Sequence, residues 1–223
     1  YTAAVKFAGA NDIRGGGQFS GRLTAPICFA GAVCIQLLSE LGVSISAKPV
    51  MIGGVWGDEV KMKEKILQAK AQGDSVGGIL ETAVTGLPAG IGEPWFDSLE
   101  SVLSHDLFSI PAVKGVEFGD GFASARVRGS QNNDPIIDMQ GHTATNHAGG
   151  IVGGITNSNQ IVVRAAVKPT ASISREQQTL NIESETIEPL IIKGRHDVCI
   201  TLRAAVVVEA AVAIALADLK LRR

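Results

Sequence analysis

Apolar stretches bounded by proline, glycine and charged residues predict three long helices in this chain. Residues 20–41 are mostly apolar or small, with Pro26 suited to a first helical turn and Gly42 to a stop, which predicts a helix buried in the core. Residues 58–72 open with acidic side chains and mix apolar positions among Lys and Glu, as an exposed amphipathic helix does. The apolar run at 198–221 predicts the last helix.

Shorter alternating runs predict strands, and stretches rich in Gly, Pro, Ser, Asn and Asp predict the loops between them. The predicted strands are residues 76–86, 112–118 and 160–167, with one or two more within 179–192. The predicted connections are a rigid glycine-rich loop at 86–94, a short helix at 97–107 and a long loop at 119–141. Because these elements do not alternate as regular βαβ units, we expect an α+β fold.

The composition is that of a globular chain without a strong charge bias. With 45% hydrophobic and 19% charged residues over 223 positions, the chain can bury a substantial core, in one large or two small domains. Its 20 basic and 22 acidic residues give a net charge of −2, so no overall field favours nucleic acid or an acidic membrane. Any anion binding must therefore be local.

Cysteine spacing and hydropathy bear on the compartment. The chain has three cysteines: Cys28, Cys34 and Cys199. They form neither a CxxC motif nor a Cys/His ligand spacing, so we expect buried, reduced thiols in the cytoplasm. The apolar run at 198–219 is interrupted by Arg203, Glu209 and Asp218, so we expect no transmembrane helix there.

The sequence Gly194-Arg195-His196-Asp197 is the strongest candidate for chemistry, because three polar side chains stand just before an apolar helix. Arg195 beside the free N–H groups of a helix start is suited to an anion. His196 and Asp197 could instead form a pair poised for proton transfer. The third interpretation is a plain helix cap by Asp197 with a surface Arg and His.

Several familiar motifs come close and fail. Gly149 and Gly154 have phosphate-loop spacing, but Ile155 stands where the lysine must be, so a nucleotide P-loop is not expected. His142 and His147 lie five positions apart without a Cys or carboxylate at ligand spacing, so no metal site is expected.

Three loops are rich in backbone N–H donors and small hydroxyls: residues 15–22, 145–150 and 168–172. Each loop alone is compatible with ordinary turn chemistry. Together with Arg195, they predict a cradle that holds a phosphate-bearing ligand from several sides.

In chain order, these segments closely resemble chorismate synthase, the enzyme that completes the shikimate pathway and so serves aromatic amino acid biosynthesis. The matching stretches are RGGGQFSGRLTAP from Arg14, GDSVGG from Gly73, GLPAGIGEPWFD from Gly86, SIPAVKGVEFGDGF from Ser109, TNHAGGIVGGITN from Thr145, KPTAS from Lys168 and GRHDVC from Gly194. The resemblance spans nearly the whole chain. It implies one domain over residues 1–223, in which long helices are packed between antiparallel sheets in a β-α-β sandwich, assembled as a homotetramer.

The resemblance also implies a reaction and a cofactor. A carbon–oxygen lyase of this family converts 5-enolpyruvylshikimate 3-phosphate to chorismate and phosphate by an anti 1,4-elimination with no net redox change. It requires reduced FMN, which lends an electron transiently while the protein orients the reactants and excludes water. Some members also reduce the flavin themselves, which associates NADP with the family.

The resemblance assigns roles to particular residues. Flavin contacts would fall at Gln18, Phe19, Ser20, Pro111, Ala112, Gly153, Lys168, Pro169, Thr170, Ala171, Ser172 and Arg195. Arg22 and Arg195 would contact the anionic groups of the substrate. Catalytic roles would fall on Asp197, Arg195 and Ser20, with Asp197 relaying a proton beside the flavin and His196 in support.

Two departures from the family pattern qualify these expectations. Ala171 and Val198 replace the serine and proline that family members commonly carry, which puts one flavin contact and the exact start of the last helix in question. Family chains also open with a further N-terminal segment that carries the histidines usually given acid roles, whereas this chain begins at Tyr1. We therefore expect little synthase activity from these 223 residues alone, and the alternative is a module that binds FMN or an anionic metabolite, or that supports assembly.

Overall fold

The computed structural model describes residues 1–14 and 16–222. Its α-helices in the described residues are α1 (Thr2–Lys6), α2 (Ala25–Glu40), α3 (Glu59–Ala71), α4 (Leu99–Ser109), α5 (Gly129–Asn132) and α6 (Thr201–Leu221). Its strands there are β1 (Ser44–Ile52), β2 (Val55–Trp56), β3 (Gly78–Thr85), β4 (Val113–Phe118), β5 (Ile151–Val152), β6 (Ile155–Thr156), β7 (Ile161–Val167), β8 (Gln177–Asn181) and β9 (Thr186–Leu190).

Five strands form one antiparallel sheet in the order β2-β1-β3-β7-β4. Two short hairpins, β5-β6 and β8-β9, stand apart from it. The predicted α+β class is confirmed, and so are the strands predicted at 76–86, 112–118 and 160–167. Sequence reasoning missed β1, which contains Pro49, a residue that is unusual in a regular strand; the β-sheet register shifts just after it, between Pro49 and Met51.

The core lies between this sheet and the last helix. Burial alternates residue by residue along β3 and β7, so that Leu80, Val84 and Val163 point to the helical side. The middle of α6 is buried, and the helix contacts α2, α4, β1 and β3. Helices therefore cover one face of an antiparallel sheet, with α6 innermost.

Helix α2 forms as predicted, but the prediction that it is buried is wrong. Only Gly31 and Leu38 of this helix are buried, while Phe29 is 77% exposed. The reason is that α2 packs on the outer side of α6, so one stripe of α2 is covered. Among the described residues, Gly21–Glu40 is long and apolar enough to cross a membrane by length and composition alone, a test that core helices of globular proteins also pass.

Glu209 interrupts the apolar sequence of α6 for a structural reason. Its Oε1 accepts a hydrogen bond of 2.6 Å from the backbone N–H of Ala47, in the middle of β1. Strand β2 pairs with β1 at Met51 and Ile52, and the rest of this edge of β1 has no strand neighbour among the described residues. The Glu209 carboxylate thus accepts a hydrogen bond from a backbone N–H group at the edge of the sheet that would otherwise have no partner strand to bond to.

Helices α2 and α6 approach each other closely at Gly31. A Cβ atom added there would lie 2.3 Å from the Cβ and 2.4 Å from the Cα of Ala210. These distances are well inside van der Waals contact, so glycine at this position allows the two helix backbones to touch.

We expect Gly31→Ala to destabilise the protein by roughly 1–3 kcal/mol, because the helices must separate to admit the methyl group. This loss should exceed the gain in helix propensity that alanine normally brings. Thermal or urea unfolding measures the effect. The matched control is Gly129→Ala, where an added Cβ meets open space. Equal stability of the two variants would contradict the proposed close packing.

Acidic side chains from α4 and α6 come together beside a second cavity of about 500 Å³. Partial burial raises the pKa of Asp106 above its ordinary value of 3.8. The nearby His105 opposes this rise, and the carboxylate of Asp218 adds to it. The folded protein therefore holds the Asp106 proton more tightly than the unfolded chain does.

This difference makes Asp106 a source of pH-dependent instability. As pH rises above about 3.8, the unfolded chain releases the proton first, so the free energy of unfolding falls until the folded protein releases it too. We expect Asp106→Asn to be more stable than the parent at neutral pH, with the advantage vanishing below that window. Urea unfolding at several pH values tests this.

Asp138→Asn provides a control of opposite sign. The side-chain hydrogen bond with His142, supported by backbone N–H groups, lowers the pKa of Asp138. That carboxylate stabilises the fold above its unfolded pKa and loses this effect in acid, so its variant should be less stable at neutral pH. An advantage for Asp138→Asn, or none for Asp106→Asn, would contradict the assignment.

Candidate functional site

A cavity of about 700 Å³ opens where α2 and α6 begin and α4 ends. Its polar lining comes from three separate segments of the chain: Ser20, Arg22, Thr24, Arg195, Asp197 and Arg203. Apolar side chains at the start of α6, with Ile110 and Pro111, complete the walls. Three guanidinium groups and one carboxylate therefore surround a space large enough for a small metabolite.

Local structure places the first two of these polar residues. The Ser20 hydroxyl accepts a hydrogen bond of 3.3 Å from the backbone N–H of Arg22, and so caps a short 3-10 turn at Gly21–Thr24. This turn leads directly into α2. Ser20 and Arg22 consequently lie at the rim of the cavity, as their assignment to one site requires.

In the segment before α6, the structure differs from two interpretations of the sequence: a helix cap by Asp197 and a His196–Asp197 pair. The helix begins at Thr201, with Ile200 at its N-cap and no side-chain cap, so the interpretation of Asp197 as a helix cap is wrong. His196 Nε2 lies 3.2 Å from the carbonyl oxygen of Ile192. No His196–Asp197 hydrogen bond is found in the described part of the chain.

The carboxylate of Asp197 pairs instead with a residue of α6. Asp197 Oδ2 accepts a hydrogen bond of 3.1 Å from Arg203 Nη1. Sequence reasoning noted Arg203 only as a charge unsuited to a membrane span. An isolated arginine in the first turn of an apolar helix was the available signal, but its partner could be known only once the turn before the helix was placed.

The 168–172 loop lies at the same end of the sheet as the cavity. Lys168 donates its backbone N–H to the carbonyl of Ala112 at 2.9 Å, which joins this loop to the Pro111-Ala112 segment. The Ser75 hydroxyl donates to the carbonyl of Thr170 at 2.7 Å, and Val76 N–H donates to Val198 at 2.8 Å. The four segments that resemble family motifs thus form one hydrogen-bonded group.

Two features of this group fit a bound ligand. Thr170 Oγ1 is buried and has no hydrogen-bond partner among the described residues, although buried hydroxyls are normally satisfied. Ala112 has φ of +79°, a left-handed conformation that costs energy for a residue with a Cβ. Unsatisfied polar atoms and strained backbone are both concentrated at binding sites.

The structure does not bring all of the predicted site residues together. Gln18 and Phe19 line a separate cavity of about 290 Å³ with Phe7 and Asp12, and Gly15 of the same predicted loop lies outside the described residues. Gly153 occupies the tight turn between β5 and β6, with φ of +62°. The assignment of these residues to the flavin therefore remains a prediction.

The expectation that three loops cradle one ligand is not met within this chain. Residues 145–150 and Gly153 precede β7, whereas 168–172 follows it. Strand β7 has seven residues, so its two ends are about 20 Å apart at the usual rise per residue. Chain topology thus separates the 145–150 loop from Arg195 and the cavity.

A carboxylate network holds the 145–150 loop in place. Asp134 accepts hydrogen bonds from the Thr145 hydroxyl and from the backbone N–H groups of His147 and Ala148. Partial burial would raise the pKa of Asp134, but these three donors outweigh it and lower the pKa. His147 Nδ1 also lies 2.6 Å from Asp120 Oδ2.

Comparison with known proteins identifies the family. The family model described as chorismate synthase matches residues 1–221. The chain belongs to the chorismate synthase family. Membership accounts for the order of the motifs around the cavity, and it confirms the resemblance found in the sequence.

Named relatives agree with this membership. A chorismate synthase of Chitinophaga pinensis is 53% identical over 221 residues, covering 99% of this chain and 65% of the relative. One of Korarchaeum cryptofilum is 43% identical over 243 aligned positions, covering 98% of this chain and 67% of the relative. The chain thus spans about two thirds of the length of these chorismate synthases.

A solved structure confirms the expected fold. A crystal structure of chorismate synthase superimposes with a TM-score of 0.80 at 29% sequence identity, covering 99% of this chain and 69% of that chain. The arrangement of helices on antiparallel sheet is therefore that of the chorismate synthase family.

Proposed function

We propose that the protein containing this chain is a chorismate synthase, which releases phosphate from 5-enolpyruvylshikimate 3-phosphate to give chorismate. In this elimination a carbon–oxygen bond to phosphate and a carbon–hydrogen bond of the ring both break. The observation that carries the proposal is the cavity lined by Arg22, Arg195 and Asp197, at the same end of the sheet as the 168–172 loop. Membership of the chorismate synthase family supports it.

The arginines of the cavity are suited to bind the anionic groups of the substrate. Arg22 reaches the cavity from the turn before α2, and Arg195 reaches it from the segment before α6. Guanidinium groups bind phosphate and carboxylate through two parallel N–H donors, and each charge-assisted hydrogen bond contributes roughly 1.5–3 kcal/mol. Two separated arginines also orient a substrate that carries both kinds of anion.

The residues near the cavity fit a flavin mononucleotide. The unsatisfied Thr170 hydroxyl is a free polar group for it, and Lys168 carries a cation in the same loop. Pro111 lines the cavity and is followed by the strained Ala112. Bound reduced FMN would supply the transient electron that assists loss of phosphate.

Asp197 is the carboxylate of the cavity that can hold or pass a proton. It lies two residues from Arg195 and lines the same space. We therefore propose that Asp197 relays the proton lost from the substrate, that Ser20 contributes a hydroxyl at the rim, and that Arg195 fixes the anionic ligand.

We further propose that the protein acts in the cytoplasm as a homotetramer, with NADPH as an electron source for the flavin. The exposed apolar face of α2 supports association, since large exposed apolar patches mark interaction sites. The second candidate function is an FMN-binding or assembly module, which the unsatisfied Thr170 hydroxyl and the exposed apolar side chains of α2 favour.

The first test concerns ligand binding. We expect Arg195→Ala to weaken binding of FMN and of substrate by about ten- to a hundredfold, because one charge-assisted contact is lost. Flavin fluorescence quenching and calorimetry measure these affinities. The control is Arg126→Ala, which alters an arginine of the 3-10 turn after β4, away from the cavity. Unchanged binding by Arg195→Ala would count against its role.

The second test separates chemistry from binding. In the full-length protein, we expect Asp197→Ala to lower turnover by about 10²–10⁴-fold while FMN affinity changes only a few-fold. Phosphate release and chorismate absorbance report turnover. Equal losses of flavin binding and turnover would make Asp197 structural. FMN binding without turnover in the full-length parent would establish the module and refute the synthase.

A further inference from the structure

We infer that Arg203 is a positioning residue, whose guanidinium holds the Asp197 carboxylate at the cavity in the orientation that proton relay requires. The inference rests on the proposed function, because it assigns Arg203 a role in the same site. The sequence interpretations give Arg203 no part in the chemistry.

The geometry around Asp197 carries the inference. Residues 191–200 contain no helix or strand, so backbone hydrogen bonding of a regular element does not orient Asp197. Among residues 1–14 and 16–222, the one hydrogen bond found for its carboxylate comes from Arg203, at 3.1 Å. Arg203 itself projects from the first turn of α6, which is anchored in the core. The rigid helix α6 thus supports a carboxylate that lies on an irregular segment of the chain.

The charges of the cavity divide in a way that favours this role. Of its three arginines, Arg203 is engaged by Asp197, whereas Arg22 and Arg195 form no ion pair within the described residues. Two cations therefore stay available for an anionic ligand, while the third fixes the carboxylate. Arg22 and Arg195 are therefore assigned to ligand binding, and Arg203 is assigned to the support of acid–base chemistry.

Exposure indicates that this ion pair matters little for stability. The side chains of Arg203 and Asp197 are 67% and 41% exposed, and ion pairs this open to solvent contribute little to folding. A positioning role consequently predicts loss of turnover without loss of stability. A structural role predicts the reverse.

The other end of α6 offers a matched control. Arg222 pairs with Asp218 at 2.5 Å, with side chains that are 59% and 50% exposed. This second pair resembles the first in residue types and exposure but lies away from the cavity. A general effect of removing an arginine at an end of α6 should appear equally in Arg222→Gln, because Arg222 is the C-cap of this helix.

The experiment compares Arg203→Gln, Arg203→Lys and Arg222→Gln in the full-length protein. For Arg203→Gln we expect kcat to fall about tenfold or more, with KM, FMN affinity and melting temperature near parental values. Arg203→Lys should recover part of kcat, since the ammonium keeps the charge. In the Arg203→Gln background, Asp197→Asn should lower kcat by a much smaller factor than it does alone, because the effects of two coupled residues are not additive.

A readout independent of turnover accompanies the kinetics. With ¹³C-labelled aspartate, the Asp197 carboxyl resonance should shift in Arg203→Gln and stay in place in Arg222→Gln. An unmoved resonance would overturn the inference even if the protein were no synthase. If the parent protein had no synthase activity but the Asp197 resonance shifted in Arg203→Gln, the proposed function would be refuted while the contact between Arg203 and Asp197 would stand.

Two kinetic outcomes would also overturn the inference. Parental kcat in Arg203→Gln would show that Asp197 needs no support. A raised KM with weakened binding of inorganic phosphate and unchanged kcat would show that Arg203 contacts the anion directly.

Discussion

Burial of α6 against the antiparallel sheet is the interaction on which the rest of the structure depends. Alternate residues of β3 and β7 are buried on one face of the sheet, all of them apolar or glycine except Thr82, and the small and apolar side chains of α6 lie against that face. Alanine-rich turns permit this close approach and allow α2 to pack on the other side at Gly31. Because the helix is fixed, its first turn is a rigid platform for the cavity.

The positions of helices and strands could be predicted from the sequence more reliably than the burial and neighbours of those elements. Helix α2 could be predicted from its apolar run and its flanking Pro26 and Gly42, since these depend on local chemistry. Its exposure could not, because an apolar side chain favours burial without indicating which surface provides it. Strand β1 escaped notice for a related reason, because the pairing that accommodates Pro49, with a register shift directly after it, is set by the neighbouring strand β3.

The same contrast appears in the candidate site. Local patterns singled out Arg195, the family resemblance assigned Arg22 and Asp197 to the same site, and the structure brings all three to one cavity. The Asp197–Arg203 pair and the separation of Gly153 from that cavity depend on chain topology. Antiparallel strands send consecutive loops to alternate ends of the sheet, so loops of similar composition need not share a ligand.

The cavity concentrates positive charge in a chain that is nearly neutral overall, which would suit the anionic substrate of the proposed function. The net charge of −2 spreads no positive field over the surface, so attraction must come from a few cations at short range. Three arginines unbalanced by any carboxylate would repel one another when no ligand is bound. Asp197 relieves this repulsion by pairing with Arg203, the arginine that is anchored on α6. Under the proposed function, the carboxylate that would relay the proton thereby also sets the charge of the cavity, so one hydrogen bond would couple proton relay to ligand affinity.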